Sequence, residues 1–236
     1  MARSAKRAVT REVFDAIPTP EPTATYAPVP FSKISRICDE VVGSISDQYE
    51  SENVSYYVNT PNDEMLIQHR LYKDGRDLGL SFEAMGSHNK QCAQHFYGSN
   101  CVCWCNNGMM MADADVHWAG RHTMYKVTEI ENAAWNVLDQ WQATTDQAEE
   151  NMESMKDKSM DDNRFYEYTG LLYGYNVITP HQMPKVHTNW HKPRHEAFAA
   201  RNLWSAYNAV TEVFKGAPIR GHRERHGNLS TLSMSF

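Results

Sequence analysis

The sequence predicts an α+β fold, with an antiparallel β-sheet core packed by several α-helices, a long helix after the sheet and a helical C-terminal part. Three observations lead to this prediction. Residues 54–125 contain short apolar runs separated by Asn, Asp and Gly, which is typical of antiparallel strands. The 33 residues 128–160 contain neither Gly nor Pro, and a helical spacing of apolar residues returns between residues 195 and 216.

The chain divides into three predicted parts. Residues 1–28 are expected to form a flexible Pro-rich tail or an extended strap, because proline fixes φ and has no N–H donor. Residues 29–160 are expected to form the α+β core with the sheet and the long helix. Residues 161–236 are expected to form a helical part that packs on the core and ends in a loose basic tail.

The elements follow from local patterns. The first helix is predicted with Ser32 as its N-cap, since apolar residues recur after it at spacings of three and four. Strands are predicted from VSYYVNT, MLIQHRLYKDG, LGLSFEAMGS and CVCWC, and residues 106–108, Asn-Asn-Gly, suit a hairpin turn. Beyond the long helix, a short helix should end near Gly170 or Gly174, and the last should stop at Gly216.

The cysteines of CVCWC raise the question of a metal site. On a strand, Cys101, Cys103 and Cys105 would share one face, with successive thiols roughly 6.5 to 7 Å apart at a ~3.3 Å rise per residue. Joint zinc ligation needs sulfurs about 3.8 Å apart. We therefore predict a structural strand here, no metal site and no cofactor.

Three histidines raise the same question near the C-terminal end. They are spaced four residues apart, which would place them on one side of a helix. Pro193 interrupts any such helix, so whether they bind a metal stays open. The three are His187, His191 and His195.

Charge and composition restrict the class of protein. The 236 residues carry a formal net charge of −6, but residues 164–236 contain nine Lys and Arg against four Asp and Glu, whereas residues 1–163 contain 14 against 25. This asymmetry indicates a surface for nucleic acid or an acidic partner at the C-terminal end. No apolar run is long enough to cross a bilayer and no signal peptide is recognisable, so we expect a cytoplasmic protein with no membrane association and reduced thiols.

Three stretches occur in a recognisable order: TYAPVPFSKISRICDEV, then GSHNKQCAQHFYGSNCVCWCNNGMMM followed by GRHT, then NLWSAYNAVTEVFKG. They resemble the opening, the central signature and the closing helix of an uncharacterised family carried by phages, prophages and plasmids, catalogued as domain of unknown function 932. The resemblance covers about residues 26–216 and implies a phage-like origin and a fold, but no reaction. Gly86 and Asn89 stand where that family often has Asn and Asp. The matching family-motif positions are Ser87, His88, Cys105, Asn106, Gly108, Arg121, His122 and Thr123.

The leading functional hypothesis is a phage early or DNA-metabolism protein that binds nucleic acid, with single-stranded DNA as its expected partner in the host cytoplasm. Single-strand binders combine cations for the phosphates with rings for the bases. Candidate rings are Tyr97, Trp118, Tyr173, Tyr175 and Trp190. The candidate contacts are Arg121, His122, Lys185, Trp190, Lys192, Arg194, Arg201, Arg220, Arg223 and Arg225.

Two alternatives stay open, as does the oligomeric state. A non-enzymatic interaction protein would inhibit or redirect a host factor of the defence or transcription machinery, or bind another phage protein, through the acidic residues 149–162. An enzyme would use His88 or His122 as a general base with Asp113 or Asp115. The enzyme is the less favoured alternative, because no set of nucleophile, base and orienting group can be assembled from the sequence.

Overall fold

A computed structural model describes residues 6–73, 75, 78–102, 116–142, 145–215 and 222–236. Within these residues the centre is a six-stranded sheet, in which the strands lie in chain order and each neighbouring pair is antiparallel. The predicted α+β class and antiparallel sheet are confirmed. The strands are β1 (Arg7–Val9), β2 (Ser51–Val58), β3 (Glu64–Tyr72), β4 (Leu78–Ser87), β5 (Gln94–Val102) and β6 (His117–Gly120).

The helices of the described residues flank this sheet and build the C-terminal part. Two short 3-10 helices lie at Ser46–Gln48 and Glu196–Phe198. No helix in the described ranges combines the length and the apolar content that a bilayer crossing needs. The α-helices are α1 (Arg11–Asp15), α2 (Phe31–Gly43), α3 (Met124–Thr128), α4 (Ile130–Gln142), α5 (Thr145–Asp157), α6 (Asp162–Gly174), α7 (Met183–His191), α8 (Leu203–Phe214) and α9 (His222–Ser235).

The predicted strands are present, with one difference. Three of the four predicted segments overlap β2, β3 and β4. The fourth segment, CVCWC, begins within β5, which starts seven residues before Cys101, at Gln94. Residues 103–115, which include Cys103, Cys105 and the expected turn at 106–108, lie outside the described residues. The long helix predicted after the sheet is described as α4 and α5, and residues 143 and 144 between them are not described.

One face of the sheet, the apolar face, packs on α2 and α4. Strand alternation brings Ile67, Phe82 and Phe96 to this face, and each is almost completely buried. Trp141 of α4 is fully buried against the same strands, and its indole Nε1 donates to the Ser99 carbonyl at 2.8 Å. Gly98 allows this close approach, because a Cβ there would collide with the Trp141 side chain.

The opposite face, the polar face, carries hydrogen-bonding groups although it is also largely buried. Gln68 Nε2 donates to Glu83 Oε1 at 2.6 Å, and Arg70 donates to Gln68 Oε1 at 2.9 Å. Ser81 adds a contact of 3.3 Å to the same carboxylate oxygen. Next to this network lies a small apolar cluster of Leu66, Met85 and Tyr97.

A second large core lies in the helical C-terminal part. The apolar stripe of α5 packs on α8, and α7 packs on the other side of α8. Trp204 and Tyr207 of α8 stack at 5.7 Å with an interplanar angle of 9°. The apolar side of α5, with Ala148, Met152 and Met155, belongs to this core.

The N-terminal residues differ from the flexible tail predicted for residues 1–28. Within residues 6–28, β1 pairs with β2 at the edge of the sheet. The chain then forms α1, whose Phe14 is fully buried and stacks on Phe31 at 5.5 Å. No proline occurs before residue 18, and Thr10 caps the helix by accepting from the Val13 N–H, so these residues are free to form regular structure.

The C-terminal end also differs from prediction. The last predicted helix was expected to span residues 195–216, but α8 begins at Leu203, where Asn202 acts as N-cap by accepting from the Ser205 N–H at 2.9 Å. The expected loose tail contains α9, with Leu229 fully buried and Ser233 hydrogen-bonded to Tyr168 at 2.6 Å. Besides Leu229, α9 buries the polar side chains of His226 and Ser233, so no regular apolar spacing predicts this helix.

Candidate functional site

Two of the family-motif segments meet at one residue that the sequence analysis did not single out, Cys92. Ser87 Oγ accepts from the Cys92 N–H at 2.9 Å and donates to the Cys92 carbonyl at 3.0 Å. His122 Nε2 lies 3.1 Å from the same carbonyl. GSHN at the end of β4 and RHT after β6 are therefore tied together through the β4–β5 connection.

Residues 17–29, which we call the strap and which overlap the start of the opening motif stretch, are held by the same group. His88 Nε2 donates to the Val29 carbonyl at 2.9 Å, and the Tyr26 hydroxyl donates to the His88 carbonyl at 2.9 Å. The Ala27 N–H donates to the His122 carbonyl at 2.8 Å. We call Tyr26, Ser87, His88, Cys92 and His122 the latch, because together they fix the strap across the end of the sheet.

The latch histidines are buried, and their surroundings disfavour the charged form. Burial lowers the pKa of His88 and of His122, since it disfavours the charged imidazolium. A carbonyl oxygen only accepts, so Nε2 carries the proton in both rings. His88 is also stacked on Phe31 at 3.9 Å.

This environment removes much of the support for the enzyme alternative. A general base must reach the proton of a substrate, but His88 and His122 are less than a tenth exposed and face backbone carbonyls. Their suggested partners, Asp113 and Asp115, lie outside the described residues. Within the part of the chain that is described, no three His, Cys, Asp or Glu side chains are arranged to hold a metal ion.

A cleft of about 340 Å³ opens beside His88. Its size suits a small ligand, but its polar groups are already engaged. Asn59 donates to Asp63 Oδ1 at 2.7 Å, and Arg7 donates to Asn62 Oδ1 at 2.8 Å. The cleft is lined by Ile17, Pro18, Pro20, Pro61, Asn62, Asp63, His88 and Asn89.

The remaining family-motif positions lie outside the latch. Arg121 is exposed directly after β6. Thr123 is the N-cap of α3, where its hydroxyl accepts from the Lys126 N–H at 3.4 Å. Cys105, Asn106 and Gly108 lie outside the described residues.

The predicted nucleic-acid contacts of the C-terminal part do not form one uniform surface. Trp190 is buried and stacks on Phe165 at 4.5 Å, so it belongs to the core. Arg201 lies over the Trp190 ring and forms an ion pair of 2.6 Å with Asp162. The pKa of the Asp162 carboxyl is lowered by its hydrogen bonds from Trp190 and Arg201. These contacts give Arg201 a structural role.

Other predicted cations are more accessible. Lys185 on α7 and Lys192 just after it are exposed. Arg194 is exposed but lies 3.4 Å from Glu212, and Arg225 is half-buried on α9. Arg220 lies outside the described residues, as does the side chain of Arg223.

An exposed row of rings on α6 and α7 was only partly anticipated. Tyr173 and Tyr175 were named as stacking candidates and are 49% and 63% exposed. Tyr166 was not named, although it is 43% exposed and stacks on His187 at 4.8 Å and 6°. Its seven-residue spacing from Tyr173 places both on one side of α6, and that spacing was the available signal. We call Tyr166, Tyr173, Tyr175 and His187 the ring row.

The comparison with family models confirms the predicted family. A family model described as "Domain of unknown function (DUF932)" matches residues 23–232. No curated protein and no solved structure matches the chain. The match covers the sheet from β2 onward, the latch and the ring row, but begins after β1 and α1.

Proposed function

We propose that the chain, which belongs to the DUF932 family, binds single-stranded nucleic acid, with single-stranded DNA as its partner, in the cytoplasm of a phage-infected host. The observation that carries the proposal is the ring row on the surface of the helical part. Tyr166 and Tyr173 lie two turns apart on α6 with Gly170 between them, where no side chain separates the rings.

The physical argument is that of base stacking. Every base has a flat π-surface, so exposed rings on a rigid helix bind successive bases without reading their sequence. Tyr166 is held parallel to His187, which reduces the rotational freedom that binding would otherwise remove. Tyr166 and Tyr173 are both exposed on one side of α6, and exposed apolar surface that lies together marks interaction sites more often than single exposed residues do.

The charge of this region supports the same proposal. Residues 164–236 contain nine Lys and Arg against four Asp and Glu. Lys185 on α7 and Lys192 just after this helix are exposed and available for phosphates. His181 and His191 are also exposed in this region.

Fluorescence anisotropy tests the proposal directly. A labelled single-stranded DNA oligonucleotide should bind more tightly than the same sequence as duplex, and its affinity should fall between low and moderate salt. The double variant Tyr166→Ala, Tyr173→Ala should weaken single-strand binding about ten-fold or more, since stacking contributes ~1–3 kcal/mol per base.

The matched control is Trp135→Ala, which removes a ring that is 39% exposed on α4, outside the ring row. Its affinity should equal that of the unmodified protein. The proposal is wrong if the unmodified protein does not bind the single strand, or if the ring-row variant binds as tightly as the control.

The interaction-protein alternative has one observation in its favour. The side of α5 that faces away from the helical core exposes Glu150, Glu153 and Asp157. Co-purification of a single host protein after nuclease treatment, lost when these three residues are changed to Gln, Gln and Asn, would favour this alternative. Such a docking surface would explain the acidic helix but not the ring row.

A further inference from the structure

We infer that the polar face of the sheet carries a second base-stacking site, formed by His95 and His117 above Tyr97. This inference rests on the proposed function and adds to it a second place where a nucleobase is bound. Tyr97 and His117 are direct cross-strand partners between β5 and β6, and His95 lies two residues before Tyr97 on the same face.

The two imidazoles form one flat surface. His95 Nδ1 and His117 Nε2 are 2.9 Å apart, the ring centroids are 5.2 Å apart and the planes differ by only 14°. Nearly coplanar rings joined edge to edge at this distance share an N–H···N hydrogen bond. The pair therefore presents a plane about two rings wide, comparable in extent to a purine.

Tyr97 supports this plane from the sheet side. Its ring is 13° from parallel to both imidazoles, with centroids 4.7 Å from His117 and 5.5 Å from His95. Tyr97 is only 4% exposed, whereas His117 is exposed and His95 is half-buried. Of the two imidazoles stacked on Tyr97, the His117 ring is therefore the one that is accessible from solvent.

This geometry favours a base over a metal ion. A metal bound by both rings would need the lone pairs of two nitrogens to converge on it, but the facing nitrogens of His95 and His117 are joined to each other. No third His, Cys, Asp or Glu completes such a group among the residues that are described. A flat ring surface on a sheet is, by contrast, what single-strand binders use for stacking.

A cation lies within reach for the phosphate. Arg121 follows β6 four residues after His117, which corresponds to about 13 Å at ~3.3 Å per residue. It is exposed and lies one residue beyond the end of β6. A single strand following this edge would have a base on the histidine pair and a phosphate near Arg121.

The test compares His117→Ala with His117→Phe on two DNA probes. One probe is a single-stranded oligonucleotide with all its bases, and the other has the same length but abasic sugars. His117→Ala should weaken binding of the first about ten-fold and leave binding of the second unchanged. His117→Phe, which keeps a flat ring, should stay within about three-fold of the unmodified protein.

The outcomes separate this inference from the proposed function. If the ring-row variant loses affinity while His117→Ala does not, the sheet site is refuted and the proposed function stands. Equal losses on both probes, or equal losses with Ala and Phe at position 117, would also refute stacking at this site. If the unmodified protein binds no single strand, both proposals fall.

Discussion

The two faces of the sheet are both largely buried, but they are built from different chemistry. The apolar face has Ile67, Phe82 and Phe96 packed under α2 and α4. On the polar face, Gln68 and Glu83 form hydrogen bonds in the corresponding rows. The same strands thus supply a mainly hydrophobic core on one side, in which His69 contacts Glu52 at 2.6 Å, and a polar network on the other.

The two faces differ in how burial affects stability, and buried polar groups require an explanation that buried apolar groups do not. Burial of apolar side chains stabilises the protein in proportion to the area removed from water. Burial of polar groups is unfavourable unless each is hydrogen-bonded, and a buried charge is more unfavourable still. The polar face is therefore where residues retained for function are expected, and the histidine pair lies on it.

The largest effect is expected from breaking the apolar face. Trp141→Ala should lower the free energy of unfolding by about 3–5 kcal/mol, because it removes a fully buried indole and leaves a cavity beside Gly98. Urea unfolding followed by circular dichroism measures the loss. Trp135→Ala on the same helix, where the ring is 39% exposed, should cost less than about 1 kcal/mol. Equal losses would contradict the assignment of α4 to this core.

A smaller, pH-dependent effect is expected on the polar face from Glu83→Gln. Burial raises the pKa of the Glu83 carboxyl group above its ordinary value of 4.5. The folded protein therefore binds this proton more tightly than the unfolded chain does. The stability it contributes is present below pH 4.5 and is lost as the pH rises through the folded pKa.

Glutamine keeps the oxygen that accepts from Gln68 but does not titrate. Relative to the unmodified protein, Glu83→Gln should become more stable as the pH rises from about 4 to about 8, by about 1.4 kcal/mol for each ten-fold by which burial tightens proton binding to Glu83. Urea unfolding at the two pH values measures the gain. Glu153→Gln, at an exposed carboxyl, should show no such trend. A loss of stability at the higher pH would mean that the charged carboxylate stabilises Arg70 instead.

The smallest effect on stability is expected from His117→Ala. The side chain is exposed on the edge strand but is hydrogen-bonded to His95 and stacked on Tyr97, so the change should lower the free energy of unfolding by about 1 kcal/mol or less. Thermal unfolding followed by circular dichroism measures it. Phe96→Ala, on the adjacent strand but on the apolar face, should cost about 3–5 kcal/mol. If His117→Ala were as costly, a weaker affinity for DNA would carry no information about stacking.

The sequence predicted the architecture where the signal is local. The strands β2, β3 and β4 are apolar runs between turn residues, and α6 ends at Gly174 as predicted. The N-terminal β1 and α1 were missed because the prolines from residue 18 onward dominated the composition of that region. α9 was missed because its burial depends on contacts with distant helices rather than on its own apolar pattern.

The sequence motifs identified several residues of the site, but they did not predict the contacts and burial of those residues. Ser87, His88 and His122 could be named from motifs, but their burial against backbone carbonyls depends on the strap and on Cys92. Arg201 was counted as a free cation because its partner, Asp162, is 39 residues away in the chain. The histidine pair was not recognised, since strand pairing joins residues 95 and 117 across 22 positions.

The position of β1 and α1 before the family match has a practical consequence for recombinant work. A shortened chain that started at residue 23, where the family match begins, would lack both elements. The backbone edge of β2 would then be open to pairing with other molecules, and the Phe31 ring would lose its contact with Phe14. If such a fragment precipitates, the open edge of β2 and the exposed Phe31 ring are the expected cause. A soluble preparation should therefore include the residues that precede the family match.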